Sequence, residues 1–140
     1  MVMMLLGKFL KKKNKYLETQ GKSKFSDSLG HALDGVSYAT NNERNLKIEI
    51  VFGLLVSIAG FLFSISVFEW IVIVLTIAMV ITLEFVNTAI ERVVDLVTTD
   101  YKDLARASKD VAAGAVLVMS LFSVIIGIII FLPKVIDLFK

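Results

Sequence analysis

The chain has 140 residues, 56% of them apolar, and a mean hydropathy of +0.79, whereas soluble domains carry about 45–50% apolar residues. That surplus, gathered into long uncharged stretches, argues against a soluble globule and for a membrane protein. With no cysteine and one histidine, disulfides, cysteine nucleophiles and thiolate metal sites are excluded, and a zinc centre is not expected. Fifteen basic residues against thirteen acidic ones, net +2, are too balanced to call for a nucleic-acid partner, so the distribution of charge matters more than its sum.

The chain opens on an apolar Met1–Leu6 followed by the basic Lys11–Lys13, the reverse of the order in a secretion signal. Residues 1–24 read as a basic cytoplasmic arm lying on an anionic leaflet, or as a tail without function. From Phe25 the apolar residues Leu29, Ala32, Leu33, Val36 and Ala39 recur at helical spacing, with Asp27, His31 and Asp34 between them. This pattern predicts an amphipathic interfacial helix over about 25–45. Gly30 and Gly35 would let it pack closely on another helix, and His31 reads as a surface residue.

Three spans follow. Nineteen uncharged residues, Ile50–Phe68, suffice at 1.5 Å per residue to cross a hydrocarbon core of about 30 Å. The expected spans are about 48–68, 70–95 and 109–132, the last ended by Pro133. The fold class is therefore all-α integral membrane, an interfacial helix plus three transmembrane helices. Thirteen of the fifteen basic residues precede the first span or lie between the second and third; only Lys134 and Lys140 lie on the other side. By the positive-inside rule the N-terminus and the 93–110 segment face the cytoplasm, and the C-terminus faces outward.

The second span carries the chemistry. Glu84, Asn87, Thr88, Glu91 and Asp95 share one stripe at 100° per residue, running from inside the bilayer to its cytoplasmic surface. Ionisable groups inside a span are costly and point to function. A carboxylate held away from water is the stronger base, whereas one near water stays ionised and can hold a hard cation; Glu84 suits the first task and Glu91 the second. A second reading remains open, in which Glu84 and Asn87 are hydrogen-bonding glue between helices and Glu91 a solvated helix end. Glu43 and Glu49, just before the first span, add carboxylates at the same surface, and Lys109 with Asp110 opens the third span. Lys109 can snorkel to headgroups or bind polyphosphate. No P-loop, protein-kinase or dinucleotide glycine pattern is present.

The run Glu84–Asp95 (EFVNTAIERVVD) resembles the signature of the small integral-membrane diacylglycerol kinase family, which includes the undecaprenol kinases of Gram-positive bacteria. Ala32–Ala39 (ALDGVSYA), Glu43–Asn45 (ERN) and Ser108–Ala115 (SKDVAAGA) follow the family's order. The resemblance implies a single membrane kinase domain over 25–140, a homotrimer with sites shared between subunits, and transfer of the γ-phosphate of ATP, with Mg2+, to a lipid alcohol. It implies Glu84 as general base, Asn87 as a catalytic-site asparagine, and Glu43 and Glu91 as metal-binding carboxylates. Lys109 and Asp110 correspond to nucleotide contacts, and Lys24 is the nearest counterpart of an N-terminal arginine at the nucleotide; Glu84 and Glu49 are expected to meet the acceptor. Two positions depart from the pattern: Glu49 stands where many Gram-positive members have histidine, and Ser108 where alanine is usual. The expected activity is an undecaprenol kinase at the cytoplasmic face, with diacylglycerol kinase as the alternative, and a noncatalytic scaffold or small ion-conducting bundle as a distant one.

Overall fold

The computed structural model describes residues 25–140; the basic arm expected over 1–24, and Lys24 with it, lies outside the described residues. Four helices follow in order, α1 (Phe25–Asn42), α2 (Arg44–Leu62), α3 (Val67–Val97) and α4 (Asp103–Asp137), with no strand among the described residues. The chain forms two compact units that divide in sequence between Tyr38 and Ala39. In the first, Phe25, Leu29, Leu33 and Val36 stand exposed on α1 at the expected helical spacing.

The second unit is a three-helix hairpin stack in which α3 packs most extensively on α4 and also on α2. All three helices are long and apolar enough to cross a membrane. At 1.5 Å per residue, the 31 residues of α3 and the 35 of α4 reach about 46 and 52 Å, well past a hydrocarbon core of about 30 Å. Ion pairs at both ends fix α3 and α4 as antiparallel. Lys134 near the end of α4 meets Glu69 at the start of α3 at 3.3 Å, and Lys109 near the start of α4 meets Asp95 near the end of α3 at 2.5 Å.

Each boundary departs from the hydropathy pattern for a local reason. The helix expected over 25–45 breaks at Glu43, whose extended backbone (φ −100°, ψ 120°) makes it the N-cap of α2. Lys47 closes the joint by donating to the Asn41 carbonyl at 2.8 Å, one of the acceptors a helix end leaves without a partner. The first span was expected to run to Phe68, but α2 stops at Leu62 in a Schellman ending. Ser64 takes φ 48°, its N–H donates to the Phe61 carbonyl, and the Ile65 N–H donates to the Gly60 carbonyl, satisfying the last acceptors. The chain restarts at once. Ser66 caps α3 in a reciprocal box with Glu69, the Ser66 N–H donating to its carboxylate at 2.6 Å.

Contrary to expectation, Pro133 does not end the last helix: α4 continues to Asp137. A proline there forfeits one backbone bond, while Ile130 before it is buried and Lys134 after it is paired with Glu69.

The apolar core sits at the 60–73 end, where Ile65, Ile73 and Ile130 are buried among Val56, Phe63, Trp70 and Phe131. Trp70 lies against Phe61 with ring centroids 4.7 Å apart. Gly60 makes this approach possible: a Cβ there would stand 2.9 Å from Cη2 of Trp70 and 3.0 Å from Cδ1 of Ile65.

Candidate functional site

Polar groups collect at the opposite end of the same stack. The buried face of α3 runs through Ile73, Thr76, Val80, Glu84, Asn87 and Thr88, at steps of three and four residues that keep one face inward. It begins apolar and ends polar. Glu84 is 2% exposed, and Asn87 and Thr88 are 6% each. Asn87 donates from Nδ2 to Glu91 Oε1 at 3.3 Å, which leaves Asn87 Oδ1 and Thr88 Oγ1 buried without a hydrogen-bond partner. Such orphans are rare in native structures and mark places where a further group is wanted.

Four carboxylates from three stretches of chain converge on this end. The charges of Glu91 and Glu43 both act on Glu84, and that of Glu84 acts on Glu49. Glu43 supplies no side-chain cap to α2. Its carboxylate, with only 18% of the side chain exposed, accepts from Nη2 of Arg92 at 2.5 Å instead. Among the described residues no three histidine or acidic side chains stand close enough to enclose a metal ion. The expected ligands Glu43 and Glu91 therefore form no closed cage.

The expected nucleotide contacts, Lys109 and Asp110, lie in the second turn of α4. Lys109 is engaged by Asp95, and Asp110, exposed, pairs with Arg106 at 3.4 Å. Arg106 also donates to the Tyr101 hydroxyl at 3.4 Å. Glu84 thus lies in electrostatic range of Glu43, Glu49 and Glu91, Asn87 is bonded to Glu91, and Lys109 is paired with Asp95, one turn beyond Glu91 on α3.

A cleft of about 410 Å³ between α2, α3 and α4 leads away from the cluster, lined by residues including Glu49, Phe52, Gly53, Ile77, Val80 and Gly127. Glu49 is the charged residue on its wall, and Glu49 Oε2 is buried without a partner. Of the three hydroxyl residues on the wall, Thr76, Ser120 and Ser123, two are turned to their own helices: Thr76 donates to the Val72 carbonyl and Ser123 to the Ser120 carbonyl, both at 2.7 Å. The wall is therefore nearly hydrocarbon in character. Thr76 and Arg92 were missed in the sequence. Carrying the three-and-four spacing of the Glu84 stripe back toward the start of α3 would have found Thr76; nothing local identifies Arg92, whose partner is 49 positions away.

Three membrane-length helices with a buried run of carboxylate and amide groups at one end, opening on an apolar cleft, define a multi-pass membrane protein. The family described as prokaryotic diacylglycerol kinase matches residues 30–131, and the chain belongs to that family. The chain is 45% identical over 112 residues to the undecaprenol kinase of Bacillus subtilis (strain 168), covering 80% of this chain and 91% of that one. It is 41% identical over 112 residues to a diacylglycerol kinase of Synechocystis (79% and 64% covered), and 27% identical over 107 residues to that of Escherichia coli K12 (76% and 88% covered). The protein is accordingly an enzyme, a membrane lipid kinase that takes its phosphoryl group from ATP.

Proposed function

We propose that this kinase phosphorylates undecaprenol, and that the cleft holds its prenyl chain with the hydroxyl at Glu49 and Glu84. The observation that carries this reading is the cleft itself: largely apolar walls, the Thr76 and Ser123 hydroxyls turned to their own backbones, and a carboxylate oxygen of Glu49 without a partner at the end that meets the buried Glu84. Diacylglycerol carries two ester carbonyls, and acceptors buried without donors are costly. A polyprenol carries none. The similarity to the Bacillus subtilis undecaprenol kinase supports the same choice.

Phosphoryl transfer asks little covalent work of a protein beyond in-line placement, neutralised charge and a base at the attacking hydroxyl. Glu84 takes the proton of the lipid hydroxyl as its oxygen bonds to the γ-phosphorus, and the bond to the β-γ bridging oxygen breaks to release ADP. Asn87 fixes Glu91 through its amide N–H and offers its free carbonyl oxygen to the reacting groups. Lys109 and Asp110 stand where the polyphosphate and nucleoside would lie.

The donor set fits magnesium. This ion takes one or two carboxylates and fills its remaining positions with substrate phosphates and water rather than a protein cage, and Glu43 and Glu91 with the orphaned Asn87 Oδ1 are such a set. Bound on ATP, the ion would neutralise phosphate charge.

The same reading places the polar end of α3 at the cytoplasmic surface, with the C-terminus outside, because thirteen basic residues fall on that side. It lays the exposed apolar face of α1 in the membrane interface. It also makes the working enzyme a homotrimer whose subunits complete one another's sites, which supplies partners for Asn87 and Thr88.

The test is a panel of acceptors presented with MgATP in mixed micelles. Undecaprenol should be phosphorylated well and diacylglycerol poorly. Turnover on diacylglycerol with none on undecaprenol would reverse the assignment.

A further inference from the structure

We propose that Arg92 binds the nucleotide's phosphates, being held on Glu43 in the nucleotide-free protein and released to the polyphosphate when the metal takes Glu43. This rests on the kinase reading above.

A polyphosphate cannot approach Glu43, Glu84 and Glu91 unless cations meet it, since like charges in a partly dehydrated site repel strongly. Two basic side chains are tied into this cluster, Lys109 through Asp95 and Arg92 through Glu43. The sequence pattern assigned a phosphate role to the first alone. Arg92 follows Glu91 directly on α3 and projects to the aqueous rim, its side chain 48% exposed while Glu43 is only 18% exposed.

The chemistry of the exchange is balanced. Before it, guanidinium pairs with carboxylate and metal with phosphate; after it, carboxylate pairs with metal and guanidinium with phosphate. Metal and guanidinium compete for the same Glu43 oxygens, so arrival of one displaces the other. The planar donor fork of arginine matches phosphate as well as it matches carboxylate, in a way a lysine ammonium does not. Arg92 is half-exposed, so its guanidinium stays in contact with water as it turns from carboxylate to phosphate, and the metal would neutralise the charge left on the mostly enclosed Glu43. Lys47 is no substitute, because its ammonium is bonded to the Asn41 carbonyl that closes the α1–α2 joint.

The experiment measures binding of MgADP by the full-length protein in detergent, by calorimetry, beside steady-state kinetics. Arg92→Gln should raise the Kd for MgADP about tenfold, the size of one lost charge-assisted contact. The KM for ATP should rise with it, and the KM for the lipid should stay as it was. Arg92→Lys keeps the charge and loses the fork, so it should raise the Kd by a smaller, measurable factor; it decides the matter if the glutamine variant does not fold. An unchanged or tighter Kd in either folded variant would overturn the proposal, leaving Arg92 a clamp on Glu43. Failure of the unaltered protein to bind MgADP would instead sink the kinase reading and this inference together.

Discussion

Glu84 and Glu91 lie seven positions apart on one helix face, yet their surroundings differ: the first is enclosed, the second half-exposed and held by Asn87. In the proposed mechanism, depth sorts two identical functional groups into different tasks, one for the acceptor's proton and the other for a cation carried on phosphate. If Glu91 is a metal ligand, Glu91→Gln should raise the magnesium concentration for half-maximal rate about tenfold or more. A titration of rate against magnesium at saturating ATP checks this, and an unchanged curve would remove Glu91 from the ligand set. The stripe itself was legible in the sequence because helical period and intramembrane polarity are both local properties. The ion pairs Glu43–Arg92 and Lys109–Asp95 were not, since each joins positions that only the folded hairpins bring together.

Among the elements, the turn between α2 and α3 shows most clearly what hydropathy cannot read. Its residues include Phe63 and Ile65, which are apolar because they pack into the core, so the turn is invisible in an uncharged stretch. The Ser66–Glu69 capping box is a readable signal, but spans drawn from hydropathy at 48–68 and 70–95 leave Glu69 between them and not in the first turn of a helix. Pro133 misled in the other direction, because a proline near a helix end removes a single bond that neighbouring packing can outweigh. Among the described glycines, the closest approach of a neighbour is at Gly60, where α2 meets α3. Gly60→Ala should destabilise the bundle by an overpacking cost of about 1–3 kcal/mol, seen as a lower melting temperature in detergent. Trp70→Leu in the same chain should recover part of that loss, since the clash is with the indole. Equal destabilisation by Gly60→Ala with and without the indole would place its cause elsewhere.

At the largest scale, the three-helix unit is polarised from one end to the other. Aromatic and aliphatic packing around Trp70 holds one end, and carboxylates, amide and paired cations occupy the other, with a near-hydrocarbon cleft between the helices. A net charge of +2 conceals this arrangement. Composition gave the membrane class, and the pattern gave the number of helices. The cleft required three helices to be packed before it existed, and so no stretch of sequence carried it. Central to the proposed mechanism is Glu84 as the base where lipid meets phosphate. The decisive measurement is transfer of a radiolabelled γ-phosphate from ATP to undecaprenol by Glu84→Gln and the unaltered enzyme, each first checked for the same assembly size in detergent. Rate loss of about a hundred- to ten-thousand-fold, with assembly and MgADP binding retained, is the predicted result. Transfer at the unaltered rate by a correctly assembled Glu84→Gln enzyme would contradict it.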